Sequence, residues 1–437
     1  MASSDGKVKP CNERATYCLY FLGFMDLCVV SMGLPLVTRK ARELGATPSI
    51  VGLIASIYGG IQLFSSPMIG KFSDVAGRKK VLLIALVCTG MAYFLIGLSE
   101  SLVVLAITRI PVGIFKQTQG LCKVSLADIT PAIERPKVFG YFNSISSLGF
   151  VVGPLIGGHI GMTEYGFFKV MALQCVGFVS MAIFSWYYLD IPGTTTRQEI
   201  TLSRKSSDAD THMIREENIN GSKNDDNVKT IYKDSSSNSS IFTKFLTKLE
   251  TFLSISSLYS IVDLLLLRFV LGFAMIIFRS NFTTMLEFRY HTSPKTNGYI
   301  MSFNGMVSGL SGTAVGYVMA RYNHNAARAV LHFSILITCA LFFITFSPDL
   351  WVLVAFLAPL SFSTSVSRVC VSSLTLKRCK QDERGVILGV GNSMLSFARM
   401  LSPLLAGFAQ EYSVYGPGMI SVGIASIGVS IAAFVIH

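Results

Sequence analysis

About twelve stretches of roughly 20 mostly apolar residues follow one another along this chain, each long enough to cross ~30 Å of hydrocarbon as a helix. They lie at about Ala15–Val37, Ser49–Ile69, Val81–Leu98, Leu102–Lys123, Val138–Ile160 and Phe168–Leu189. After a polar interval they resume near Tyr259, Asn297, Ala329, Leu350, Val386 and Pro417. Only 14% of the residues are charged, against about 25% in soluble proteins. The chain is therefore expected to be a multi-pass integral membrane protein, all-α, with twelve transmembrane helices.

The second constraint is internal repetition. Glu134–Gly158 lies over Glu383–Gly407 at an offset of 249 residues without a gap, and Glu134, Arg135, Gly140, Asn143, Ser144, Ser147, Pro154, Leu155 and Gly158 all recur. The same offset lays Leu22-Gly23-Phe24 over Leu271-Gly272-Phe273. Repetition of this kind marks transporters built from paired helical bundles. It divides the chain into a first six-helix bundle (1–190), a linker (191–257) and a second, pseudo-symmetric six-helix bundle (258–437).

A net charge of +12 invites a nucleic-acid reading. The basic residues, however, cluster in the even-numbered loops, at Lys71, Arg78–Lys80, Lys123, Arg135, Lys137, Arg321, Arg328, Lys377, Arg378, Lys380 and Arg384. That bias orients a membrane protein, with both termini in the cytoplasm, and no nucleic-acid partner is expected. Arg39-Lys40-Arg42 in the first loop is the main exception. Plasma and endolysosomal membranes stay equal alternatives. The linker is rich in Ser, Thr, Asn, Asp and Lys and cannot bury a core, while 241–253 has the spacing of an amphipathic helix lying on the inner membrane surface, or of an extension of the seventh span. Nine scattered cysteines show no metal-ligand spacing, and the polar start is not a signal peptide. No metal and no cofactor are expected. A monomer is.

The loop between the second and third spans, Gly70-Lys-Phe-Ser-Asp74-Val-Ala-Gly77-Arg78-Lys79-Lys80, has glycines suited to a tight reversal and an acid able to sit at a neighbouring helix N-terminus. It resembles the signature loop of the major facilitator superfamily. In that family the acid, here Asp74, latches against the start of the eleventh span, here near Arg384. The following arginine, here Arg78, pairs with an acid ending the fourth span, here Asp128. Together with Arg135 these form the expected gating latch. In the second half Ala320 replaces the acid, so the halves would be gated unequally. Gly140-x8-Gly149-x3-Gly153-Pro154-x2-Gly157-Gly158 matches the family's fifth-span antiporter signature. Small residues four apart let another helix approach, and Pro154 can bend the helix. Pro403 is its counterpart in the second half.

Charges within the spans point to chemistry. Asp26, in the middle of the first span, could carry protons if isolated; a permanent salt bridge to Arg109 is the alternative. As one continuous helix, the fourth span would present Arg109, Gly113, Lys116, Gly120 and Lys123 on one face, toward a polar cavity. Arg279, Arg368 and Arg399 add cations from the second half, while Arg268, nearer the membrane edge, could simply snorkel. Asn143 and Asn392 are repeat-related candidates for hydrogen bonding to a solute, or for helix packing. His159 and His332 have no ligand partner and are assigned no chemistry.

The resemblance is to the tetracycline/proton-antiporter-like branch. That branch also carries acids in spans 3 and 9, where this chain has Ala92 and none, a departure that speaks against tetracycline-like, metal-chelate or cationic drug substrates. The resemblance implies a secondary active transporter working by alternating access. The surplus of cations adds a small organic, anionic solute, with proton coupling through Asp26 and Arg109. A polyspecific drug exporter and a non-transporting membrane sensor or scaffold are the alternatives. No nucleophile–base pair suggests an enzyme.

Overall fold

The computed structural model describes residues 13–131, 134–190, 258–323, 325–379 and 384–436. The described residues form helices and no strand. The first half comprises α1 (Glu13–Glu43), α2 (Pro48–Ala76), α3 (Arg78–Gly97), α4 (Leu102–Ile107), α5 (Arg109–Phe115), α6 (Thr118–Ile129), α7 (Arg135–Ile160) and α8 (Gly166–Tyr188). The second comprises α9 (Leu258–Tyr290), α10 (Pro294–Arg321), α11 (Ala326–Thr345), α12 (Leu350–Arg378), α13 (Arg384–Tyr412) and α14 (Gly416–Ile436). The linker, with the helix expected at 241–253, lies outside the described residues.

Local chemistry sets the helix starts. Thr47 accepts the Ile50 amide ahead of Pro48, and Ser293 accepts the Thr296 amide ahead of Pro294. In each case a hydroxyl cap satisfies an orphan donor, and proline sits where its missing N–H is not needed. Nine of the described helices are long and apolar enough to cross a bilayer. The more polar α10 and α13, of similar length, and the interrupted run α4–α6 complete twelve crossings in two pseudo-symmetric bundles. The repeat offset carries into the coordinates. Shifted by 249, the bounds of α3, α4–α6 and α7 fall at 327–346, 351–378 and 384–409; α11, α12 and α13 begin within one residue of those positions.

Each half has its own apolar interior. In the first, Phe142, Phe178, Leu19, Leu22, Leu86 and Met171 are fully buried. The second splits into a cluster around Phe278, Leu286 and Leu341 and another around Leu264, Val330 and Val366.

The halves meet through α2 against α13 and α7 against α10. Contact is concentrated at the end opposite the termini, here called the far end. A Cβ on Gly59 would come within 2.9 Å of the Arg399 carbonyl oxygen, one on Gly158 within 2.7 Å of that of Pro294, and one on Gly305 within 2.9 Å of that of Phe150. Toward the terminal end, a Cβ on Gly70 of α2, Gly140 of α7, Gly312 or Gly316 of α10 or Gly389 of α13 would meet no other part of the described residues within 4 Å. The two bundles thus touch backbone to backbone at the far end and diverge toward the end that carries the termini.

Candidate functional site

The fourth crossing is not the continuous helix expected over Leu102–Lys123. Pro111 has no N–H for the Ile107 carbonyl, and the helix breaks at Thr108. It breaks again at Lys116, whose φ of −73° and ψ of 67° leave the helical region. Unsatisfied backbone groups at membrane depth are costly unless protein partners replace the lost bonds. Here α2 supplies them. Ser65 Oγ donates to the Gly113 carbonyl at 2.9 Å, Gln62 Nε2 donates to the Lys116 carbonyl at 3.1 Å, and Gln117 Nε2 donates to Ser65 Oγ at 3.0 Å. Ser65→Ala removes the donor from a buried carbonyl and should cost about 1–3 kcal/mol. Thermal unfolding in detergent checks this, with the exposed Ser66→Ala expected within about 0.5 kcal/mol of wild type.

The break turns the Lys116 ammonium onto Asp26. Lys116 Nζ lies 2.7 and 2.8 Å from the two carboxylate oxygens, with the side chains 7% and 0% exposed. Gln119 Nε2 completes the arrangement by donating to Asp26 Oδ2 at 3.0 Å and to the Gly23 carbonyl at 2.9 Å. Asp26 is therefore neither isolated nor paired with Arg109, the two alternatives the sequence offered: its partner is Lys116. The breaks also overturn the single face of Arg109, Gly113, Lys116, Gly120 and Lys123, which assumed one straight helix.

Arg109 has no carboxylate partner among the described residues, and its Nε is buried without a hydrogen bond. It borders a small cavity of about 60 Å³ between the halves, shared with Ser280, Asn281 and Pro403. Tyr58 and Tyr93 lie within its Coulombic reach.

The second half is charged differently. Arg268 donates from Nη2 to Asn392 Oδ1 at 2.9 Å, and so bridges α9 to α13. Arg279 and Arg368 are exposed side chains with no hydrogen bond or ion pair among the described residues. Arg368 lies within Coulombic reach of both Arg268 and Arg279. Arg399 Nη2 donates to Ser396 Oγ, 2.9 Å away on its own helix. Asn143 is exposed and is not joined to Asn392, which is engaged by Arg268.

At the terminal end, Gly77 turns the chain between α2 and α3 with φ +95°, a conformation glycine adopts without penalty. Arg78 pairs with Asp128, Nε to Oδ2 at 3.0 Å, and donates to the Gly70 carbonyl at 3.2 Å. Asp74 pairs with Arg78 one turn away, within the first half. The Arg384 side chain lies outside the described residues. Arg135 donates to the Thr130 carbonyl at 3.3 Å.

The small residues of α7 lie against α1. A Cβ on Gly149 would come within 2.5 Å of the Cys28 nitrogen; Gly153 faces the Cys28 carbonyl and Gly157 that of Met32. Gly158 turns toward α10, where Gly298 meets the Pro154 carbonyl, and the Pro403 carbonyl stands against Gly52 across the α2–α13 contact.

The far end holds cross-half contacts that sequence reasoning missed. Arg42 pairs with Glu287, which also accepts from Asn297 Nδ2 at 3.0 Å. His159 Nε2 and the Tyr299 hydroxyl are 3.2 Å apart, with the rings edge to face. The Ser49 amide donates to Glu411 at 3.4 Å. A surface cavity of about 600 Å³, lined by Arg39, Arg42, Glu43, Glu287 and His291, opens at this end, away from Asp26 and the second-half arginines. The Arg39-Lys40-Arg42 exception to the charge bias was the one sequence signal for this seal.

Comparison with known proteins fits this arrangement. The tetracycline resistance protein, class H, of Pasteurella multocida is 30% identical over 152 residues, 34% of this chain and 38% of that protein. The match thus spans about two fifths of that relative's length. The crystal structure of the human organic anion transporter MFSD10 has 18% identity and a TM-score of 0.66, covering 97% of this chain and 100% of that one. A bacterial homologue of the human lysosomal transporter Spinster, in an inward-facing, unoccupied conformation, has 12% identity and a TM-score of 0.68, covering 98% and 95%. At such identities these structures speak for the fold. The model of the Major Facilitator Superfamily matches residues 16–436, and with that match the chain belongs to the Major Facilitator Superfamily, a family of transporters and not of enzymes.

Proposed function

We propose that this chain is a secondary active carrier that moves a small organic anion by alternating access, coupled to protons. The observation that carries the proposal is the charge asymmetry between the halves. The first neutralises its buried Lys116 with Asp26, whereas the second leaves Arg279 and Arg368 without an acid among the described residues. A cavity lined by one sign of charge concentrates the opposite ion. Bundles 1–190 and 258–437 rock about this region, joined by a linker at 191–257, and the carrier works as a monomer. Both termini face the cytoplasm, so the described conformation, closed at the far end, is open to the inside. Asp26 is the proton carrier: protonation would release Lys116, and the freed ammonium would signal the proton's arrival to α2 through the capped break.

The solved organic anion transporter shares only the fold, so the anion reading stands on the arginines. Within the superfamily, the run Arg109–Lys116 supports a finer resemblance to the animal orphan called major facilitator superfamily domain-containing protein 9. A second reading, a drug exporter, is favoured by the tetracycline-resistance relative, and the missing acid at Ala92 weighs against it.

Uptake of labelled organic acids into proteoliposomes tests the proposal. Wild type should accumulate an anion in response to a pH gradient and lose accumulation when an ionophore collapses it. Asp26→Asn should transport without responding to the gradient. Wild-type uptake indifferent to pH removes the coupling, and movement of cations only removes the anion.

A further inference from the structure

Arg268 and Arg279 are eleven residues apart on α9, which places them on nearly one stripe, about 20° apart and about 16 Å along the axis. The direction of that stripe is known at the Arg268 end. There Arg268 packs on α13, with its Nη1 3.1 Å from where a Cβ of Gly391 would stand, and it reaches Asn392. Arg279, at the other end, is an exposed side chain. Arg368 approaches from α12, near enough to both to repel them.

Every acid on the described parts of these three helices is engaged elsewhere. Asp263 is 2.7 Å from Arg378, Glu287 pairs with Arg42 across the far end, and Glu411 accepts the Ser49 amide. The described part of α12 has no acid at all. Among the described residues the one hydrogen bond these three arginines make is to a neutral amide, and Arg268 Nε is buried with no acceptor there. Arg368 thus stands near both arginines of α9, cations in a membrane interior need counter-charge, and a single negative charge would leave two of the three bare.

We infer that Arg268, Arg279 and Arg368 together form a binding site for a soluble solute carrying at least two negative charges, such as a dicarboxylate or a phosphate monoester, with Asn392 as its neutral hydrogen-bonding group. The inference rests on the anion reading above and narrows it. The guanidinium forks take carboxylate or phosphate oxygens in pairs, and Arg368 is near enough to each arginine of α9 to share a solute with it.

The test is thermal stabilisation of the purified full chain at constant ionic strength by succinate, citrate and glycerol 3-phosphate, against butyrate. The multivalent anions should act at concentrations lower by on the order of tenfold. Arg279→Gln and Arg368→Gln should each remove most of that advantage while leaving the butyrate response in place, and Arg279→Lys should retain part of it. The wild-type series decides even if a variant does not fold. Equal responses to butyrate and succinate would overturn the charge count and leave the anion reading standing. Stabilisation by organic cations and by no anion would overturn both.

Discussion

Lys116→Met should be among the most damaging single substitutions in the chain. It leaves the Asp26 carboxylate, 0% exposed, with the Gln119 amide as its remaining side-chain partner among the described residues. Removing one member of a buried pair costs about 3–5 kcal/mol, because the remaining charge has no compensation. The double variant Asp26→Asn/Lys116→Met should recover most of that loss, since no charge is then buried and Gln119 can still donate to the new amide. The protein supplies its own precedent: at the repeat-equivalent positions the second half has Met275 and Ser365, and that half folds without a pair. Thermal unfolding of the two single variants and the double closes the cycle. If the double is as unstable as Lys116→Met, the pair is not what holds this region.

Transport should divide the same variants in another way. A double variant that is stable and yet unresponsive to pH fits a pair retained for coupling. A double variant that still follows the pH gradient would move proton coupling elsewhere.

Gly153→Leu should be comparably severe for a steric reason. A side chain there would run into the Cys28 carbonyl and the Ser31 hydroxyl, where α7 packs against the backbone of α1. Overpacking of this kind costs about 1–3 kcal/mol even where neighbours can shift, and here the obstacle is backbone. Gly140→Leu, on the same helix where an added Cβ meets no other described residue within 4 Å, should stay within about 0.5 kcal/mol of wild type. Expression level and melting temperature of the two variants measure the contrast. Similar behaviour would mean that the α1–α7 seam is looser than its geometry.

The helices, their number and their pairing into halves were legible because each is a local property: a run of apolar residues, a proline after a capping hydroxyl, a repeat that survives as an offset. The small-residue stripe was legible for the same reason, since Gly149, Gly153 and Gly157 declare their spacing within one helix. The partner of Asp26 was not. Pro111 announced the first break in the fourth crossing, but the second break, at Lys116, depends on an acid 90 residues away and on Gln62 and Ser65 of a third helix. No pattern within 102–123 records those contacts. The far-end seal was hidden likewise: Arg42 and Glu287 are 245 residues apart in sequence, and His159 is an isolated histidine until α10 brings Tyr299 to it. Arg268 looked like a snorkelling residue because its distance from the helix end was visible and its neighbour on α13 was not.

The central claim is that two halves, sealed at one end and apart at the other, exchange those conditions around bound anion. Spin labels test it directly in a background with the accessible cysteines replaced. One pair belongs at Lys71 and Gly389, on the diverging ends of α2 and α13, and one at Glu164 and Lys295, beside the far-end seal. On addition of a transported anion in proteoliposomes, a population should emerge in which the Lys71–Gly389 distance shortens and the Glu164–Lys295 distance lengthens. Distances at both ends that stay unchanged under every anion and pH tried would contradict the account and describe a static membrane body.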